Sequence, residues 1–328
     1  MEKLIDALGR RFSYLRLSLT ERCNFRCSYC LPNGYICQAS KRDTEISQVE
    51  IRRLVAAFAE MGFSKVRLTG GEPTLRRDLL NIIEDIANAK GVAVVALSTN
   101  GFRLKQIAKD LLSAGVSALN VSVDSLNKNH YMTITGRNCL EQVLEGVDHA
   151  LEIGFKKVKV NAVLLKDLNS DELPSFVAWV KDRPITLRLI ELMETGENKS
   201  FFYHHHLRTS LLQRYLESNG WTRLQKTSTD GPAIEYSHPD YKGAIGLIAP
   251  YAENFCATCN RLRVNSKGNL RLCLFGNGEI SLRHLLQDDN AKNALKQFIA
   301  DAITEKAPSH LLLMGNSGQT SNLATIGG

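Results

Sequence analysis

Six strand-like stretches recur over the first two thirds of the chain, and helical stretches separate most of them. The strands are 14–20 (YLRLSLT), 65–71 (KVRLTGG), 92–100 (VAVVALSTN), 118–125 (ALNVSVDS), 157–165 (KVKVNAVLL) and 186–193 (TLRLIELM). Amphipathic segments lie between them at 48–61, 78–89, 103–113 and 140–153, with a shorter one at 171–182. In the first of these, Val49, Leu54, Ala57, Phe58 and Met61 fall at helical spacing. Strand and helix alternating this often implies parallel strands joined by right-handed crossovers. Six units fall short of the eight of a closed barrel. The expected fold is therefore α/β: a partial, open TIM-type parallel βα barrel.

Alternation within the strands sorts their faces, because side chains two apart point the same way. Leu15, Leu17 and Leu19 share one face, and Arg16, Ser18 and Thr20 the other. Val66 and Leu68 oppose Arg67 and Thr69; Leu119, Val121 and Val123 oppose Asn120, Ser122 and Asp124. Val158, Val160 and Ala162 oppose Lys159 and Asn161, and Leu187 and Leu189 oppose Arg188. A parallel strand buried on both faces should be apolar on both. Here helices would cover the apolar face, and the polar faces would line a common interior. Arginines and a lysine there are costly unless an anion pairs with them.

The chain has 328 residues, 44% hydrophobic and 23% charged, which is ordinary globular composition. No apolar run reaches the length of a membrane span, and the N-terminus lacks the apolar stretch of a signal peptide. A cytoplasmic protein is expected, with neither membrane nor nucleic acid as partner. The net charge of +7 suits an anionic small substrate as well as nucleic acid and decides nothing alone.

Disulfides are rare in a reducing compartment, so the eight cysteines point to metal or redox chemistry. Six fall into two triplets. Cys23, Cys27 and Cys30 are spaced C-x3-C-x2-C on the loop after the first strand. Cys256 and Cys259 are followed by Cys273. Cys37 and Cys139 stand apart and read as small hydrophobes or plain thiols. Structural zinc takes four ligands in a closed site, whereas each triplet offers three. An iron–sulfur cubane normally takes four thiolates; three leave one iron open to a small molecule. A zinc protein that binds nucleic acid stays a rival at this point.

Three loops follow strand C-termini, where parallel α/β folds build their sites. They are TGGEP (69–73), STNG (98–101) and VSVDS (121–125). The glycine pair lets backbone approach a ligand closely, and Glu72 could accept from an amine.

The C-x3-C-x2-C loop, the GGEP stretch and the partial-barrel repeats together resemble the radical S-adenosylmethionine superfamily. The second triplet, with CNRLR and the terminal IGG, is similar to the GTP 3',8-cyclases of molybdenum-cofactor biosynthesis over nearly the whole chain. The resemblance implies two [4Fe–4S] clusters and S-adenosylmethionine. Cys23, Cys27 and Cys30 would hold the cluster that cleaves S-adenosylmethionine, and Cys256, Cys259 and Cys273 a second one facing guanine. Tyr29, Gly71, Ser122 and Met193 would contact S-adenosylmethionine. Arg16, Arg67, Ser98, Lys159, Arg261, Leu262 and Arg263 would line the GTP site, with Ser98 where the family usually has threonine. Asn161 and Arg188 are further ligands for the methionine carboxylate. A 5'-deoxyadenosyl radical would take hydrogen from ribose C3', and the resulting carbon would attack C8 of guanine. The alternative within the superfamily is an enzyme that modifies a peptide or tRNA. Partners implied are an electron donor such as flavodoxin, the next enzyme of the pathway (cyclic pyranopterin monophosphate synthase), and a second copy in a homodimer.

The barrel is expected to span 1–235. A smaller C-terminal α+β region, 236–328, would carry the second iron–sulfur site and cap the open side. RVNSKGNLRLC reads as a hairpin with its turn at Ser266–Asn269, its register open. The tail NLATIGG (322–328) is read as entering the active site, by resemblance. YHHH (203–206) is read as a surface stretch.

Overall fold

A computed structural model describes residues 4–36, 45–226 and 230–327. Cys37, residues 227–229 of the linker stretch TSTDGP and Gly328 lie outside the described residues.

The expected alternation forms as β1 (Tyr14–Ser18), α1 (Gln48–Glu60), β2 (Lys65–Thr69), α2 (Leu79–Ala87), β3 (Val94–Thr99), α3 (Leu104–Ser113) and β4 (Ala118–Ser122). It continues through α4 (Lys128–Thr135), α5 (Leu140–Glu152), β5 (Val158–Leu164), α6 (Leu173–Trp179) and β6 (Thr186–Glu191). Then come α7 (Lys199–His205), α8 (Ser210–Ser218), β7 (Thr222–Arg223), β8 (Ile234–Ser237) and β9 (Ala244–Ile248). The chain closes with β10 (Arg261–Val264), β11 (Asn269–Arg271), β12 (Ile280–Ser281) and α9 (Lys292–Thr304). Local signals set several boundaries. Ser47 and Glu50 form a reciprocal capping box at the start of α1, satisfying two otherwise orphaned backbone donors.

All twelve strands join one sheet in the order β12-β11-β10-β1-β2-β3-β4-β5-β6-β9-β8-β7. Six parallel strands were expected; among the described residues there are eight. β10 pairs in parallel with β1, and β9 in parallel with β6. Antiparallel pairs finish both edges: β11 and β12 beside β10, β8 and β7 beside β9. β12 and β7 are not paired with each other, so among the described residues the barrel stays open. The hairpin of β10 and β11 forms one residue earlier than expected: Gly268 donates to Asn265 O at 3.1 Å, and the register pairs Arg263 with Arg271.

The main core lies between the apolar strand faces and the helices, with Leu15, Leu17, Leu68, Leu119 and Val160 fully buried against Leu54, Phe58 and Leu111. α9 packs on α1, and Lys292 and Lys296 reach Glu60 at 2.6 and 2.9 Å. Val49, expected on the apolar face of α1, is exposed. A second core, above the strand ends, gathers Leu192, Phe202, Tyr251 and Phe275 around Leu323 and Ile326 of the tail. In the YHHH stretch, Tyr203 and His204 are exposed and His205 is half-buried. His206 instead turns inward, with Nε2 at 3.0 Å from buried Glu191. No helix among the described residues is long and apolar enough to cross a membrane.

Candidate active site at the strand C-termini

The register of the sheet builds one polar interior. Tyr14, Arg16 and Ser18 of β1 stand beside Lys65, Arg67 and Thr69 of β2. Ser98 pairs with Asn120, and Asn161 with both Ser122 and Arg188. On the other side, Arg261 pairs with Tyr14 and Arg263 with Arg16. A cavity opens over these faces and takes in both cysteine triplets.

The first triplet sits on a loop fixed from three directions. Gly71 N donates to Thr20 O and Glu72 N to Arg22 O, each at 2.7 Å, tying the glycine turn to the cysteine loop. A Cβ on Gly71 would lie 2.3 Å from Arg22 O, so no other residue fits this approach. Ser28 N donates to Ile134 O at the end of α4. Tyr29 OH donates to Asp124 Oδ2 at 2.9 Å, while Asn198 Nδ2 donates to the carbonyls of Tyr29 and Met193, both at 3.0 Å.

Glu72 does not face the cavity as an acceptor for an amine. Its carboxylate is 1% exposed and takes Thr74 N, Thr74 Oγ1, Thr99 Oγ1 and Asn100 N at 2.6–3.1 Å. Those four donors saturate it, so it organises the turns after β2 and β3.

The cationic wall surrounds Tyr14. Arg67 Nε donates to Tyr14 OH, and Arg67 Nη1 donates to Ser98 Oγ at 3.1 Å. Lys65 Nζ lies 4.7 Å from the Tyr14 ring centroid. Burial would push the phenol up, but Arg67, Arg16 and Lys65 outweigh it and hold it down, to about 6. Burial, and then Arg16 and Arg261, bring Arg263 down to about 9. Arg263 Nε and Nη1 are buried with no hydrogen-bond partner, a state that costs about 1–3 kcal/mol per group. Among the described residues, six cations line the cavity against one carboxylate, Asp124, which burial pushes up to about 6.

The tail closes one side. Gly196 N donates to Thr320 O and Glu197 N to Ser321 O, both at 2.9 Å. Beyond them the chain runs past Cys30, and Arg16 Nη2 donates to Gly327 O at 2.8 Å. At Gly327 (φ +69°) an added Cβ would meet Thr69 Cγ2 at 2.5 Å.

Of the expected site residues, the cavity gathers Arg16, Arg67, Gly71, Ser98, Ser122, Met193, Arg261, Arg263, Tyr29 and all six triplet cysteines, together with Asn161 and Arg188. Two stand apart. Leu262 is fully buried in the core on the opposite face of β10, paired with Leu15, so its side chain cannot face a ligand. Lys159 lies on the interior face, but its Nζ is engaged by Glu235 at 2.7 Å. Cys139 packs against the core. Sequence reading passed over Tyr14, Lys65, Asn198, His310 and Glu235. Tyr14 and Lys65 carried a usable signal, since each lies two residues before an interior arginine. The others arrive from distant segments.

The thiols fit iron–sulfur ligation. Burial, with Asp124 nearby, pushes Cys27 well up and Cys30 up to about 12. Burial likewise pushes Cys23 up to about 11. A coordinated metal supplies the missing positive charge and deprotonates such thiols outright. Burial also raises Cys259, but Arg261, Lys306 and Arg263 bring it down to about 7. Among the described residues no three His, Cys, Asp or Glu side chains gather closely enough to share a single metal ion.

A family model described as Radical SAM superfamily matches residues 17–180, and one described as Molybdenum Cofactor Synthesis C matches 185–312. The chain is 52% identical over 326 residues to a curated GTP 3',8-cyclase of Mannheimia succiniciproducens, covering 99% of this chain and 96% of that one. It is 51% identical over 326 residues to that of Haemophilus influenzae, with the same coverage. In fold it is similar to SuiB of Streptococcus suis, solved bound to S-adenosylmethionine. That match has a TM-score of 0.62 and 13% identity, and covers 91% of this chain and 76% of the other.

Proposed function

The chain belongs to the GTP 3',8-cyclase family of radical S-adenosylmethionine enzymes, and from that membership we propose how its cavity serves the reaction. The enzyme uses S-adenosylmethionine and iron–sulfur chemistry to cyclise GTP to (8S)-3',8-cyclo-7,8-dihydroguanosine 5'-triphosphate. This is the first step of molybdenum-cofactor biosynthesis. The observation that carries the assignment of roles is a single cavity lined by two cysteine triplets with a cationic wall between them.

Cys23, Cys27 and Cys30 would hold one [4Fe–4S] cluster, and Cys256, Cys259 and Cys273 a second. Bound there with S-adenosylmethionine, the first supplies the 5'-deoxyadenosyl radical that side chains cannot generate. Tyr29, Gly71, Ser122 and Met193 surround the S-adenosylmethionine position, with Asn198 holding the Tyr29 and Met193 backbones together. Arg16, Arg67, Arg261 and Arg263 bind the triphosphate through charge-assisted hydrogen bonds, strongest where water is scarce. Ser98 keeps Arg67 aimed. Leu262 could contribute only backbone. The protein's main task is to hold ribose C3' and guanine C8 close and aligned. The tail, seated against Arg16 and the first cysteine loop, excludes water from that meeting point.

We further infer a cytoplasmic homodimer. A flavodoxin-like donor would reduce it, and its product would pass to cyclic pyranopterin monophosphate synthase. The chain divides near residue 235 into the six-unit barrel and a second region, which adds β9 and β10 to the sheet and carries the second triplet. The test is an anaerobic assay of reconstituted protein with dithionite and S-adenosylmethionine, with and without GTP. Formation of 5'-deoxyadenosine together with a GTP-dependent cyclised triphosphate supports the reading. Formation of 5'-deoxyadenosine with GTP untouched refutes the substrate.

A further inference from the structure

Two interior cations are already neutralised from within the chain. Glu235 Oε1 accepts from Lys159 Nζ at 2.7 Å and from Arg188 Nη2 and Nε at 2.7 and 3.2 Å. Glu235 does not come from the parallel barrel. It lies on β8, an antiparallel strand between β9 and the edge strand β7, opposite Gly246 of β9. A Cβ on Gly246 would sit 3.1 Å from Arg188 Cγ and 3.3 Å from Glu235 Cγ. The missing side chain thus leaves the room in which the acid and the arginine meet.

The burial of the three groups is unequal. The Arg188 side chain is 8% exposed, Lys159 18% and Glu235 22%. Arg188 is the most enclosed of the three, while Lys159 and Glu235 keep similar, partial access to water. Without an anion, Lys159, Arg188 and Lys65 repel one another across the barrel. Glu235 relieves that repulsion using the same N–H donors that a phosphate oxygen would use. A carboxylate and a phosphate cannot both occupy them, because like charges at hydrogen-bond range disfavour each other strongly.

We propose that Lys159 and Arg188 form a phosphate subsite masked by Glu235, which the substrate's triphosphate displaces. The proposal rests on the GTP reading of the cavity. It adds that nucleotide affinity is held down by a competing internal anion, and it assigns Arg188 to phosphate rather than to the methionine carboxylate.

The test compares wild type with Glu235→Gln, which keeps the shape and removes the charge. Binding of GTP, GDP, GMP and guanosine is measured anaerobically on the cluster-loaded enzyme without S-adenosylmethionine, so nothing turns over. Losing a charged competitor of this kind should tighten GTP binding about tenfold or more. The gain should shrink toward GMP and vanish for guanosine. Glu235→Ala is read alongside and must show the same order. Nucleotide-free melting should fall in both variants and recover with GTP. Unchanged or weaker GTP binding in correctly folded variants overturns the masking. An equal gain for guanosine also overturns it, since the effect would then not concern phosphate. If wild type itself neither binds nor cyclises GTP, the cyclase reading fails instead, so the two failures are distinct.

Discussion

Replacing Gly327 by alanine should undock the C-terminal tail while leaving the barrel intact. Gly327 has φ +69°, where an L side chain costs about 1–2 kcal/mol. The new methyl would lie 2.5 Å from Thr69 Cγ2, 2.9 Å from Thr69 Oγ1 and 3.2 Å from Ser18 Cβ. Thr69 and Ser18 are buried on adjacent parallel strands and cannot retreat, so overpacking adds about 1–3 kcal/mol. The sum, roughly 2–5 kcal/mol, shifts the docked-to-undocked ratio by about thirtyfold or more. The sheet does not yield; the tail does, and Gly327 O leaves Arg16. Hydrogen exchange of the amides in 319–327 should quicken, cyclisation should fall, and thermal melting should barely move. Gly315→Ala is the matched control. Gly315 has φ +68° with nothing within 4 Å of an added Cβ, so it carries the backbone strain without the clash. Unchanged exchange and activity in Gly327→Ala, or equal damage from Gly315→Ala, would refute the reasoning.

Other consequences are as concrete. Arg263→Gln should raise KM for GTP more than tenfold and leave S-adenosylmethionine binding alone, because it removes two buried, unpartnered N–H donors that a phosphate oxygen would accept from; steady-state kinetics with each substrate varied decides it. Glu72→Gln puts an amide donor among four donors, and should cost about 1–3 kcal/mol in urea unfolding of cluster-free protein. Ionised Tyr14 contributes stability that is complete above its ordinary value of 10.0 and gone once pH falls through about 6. Cluster-free wild type should therefore gain stability over Tyr14→Phe as pH rises from 6, and a tyrosinate absorbance near pH 6 should be missing from the variant. Cys273→Ser should remove about half of the bound iron; an unchanged iron content would mean that Cys273 is no ligand.

Periodicity made the inner barrel readable. The leucines of β1 and the valines of β4 and β5 mark the helix-covered face, and the residues between them mark the cavity. Spacing alone was enough to suggest Cys23, Cys27 and Cys30 as one set, since a short loop keeps its own side chains together. Arg16 and Arg67 followed from strand alternation, which is a local property. Leu262 shows the limit of carrying a motif across whole: alternation turns it away from the arginines on either side.

What the tertiary structure decided is long-range pairing. β10 lies beside β1 although about 245 residues separate them, and only that register sets Arg261 and Arg263 against Tyr14 and Arg16. β9 lies beside β6, bringing β8 and Glu235 to Lys159 and Arg188. The tail reaches Arg16 across 311 positions of sequence. Local patterns say which face of a strand is wet and which loop carries thiols. They do not say which strand is the neighbour, because that choice is made by burying whole faces against each other. The sequence therefore determined the chemistry available and the barrel that carries it; the tertiary structure decided which charges meet and which acid already holds two of them.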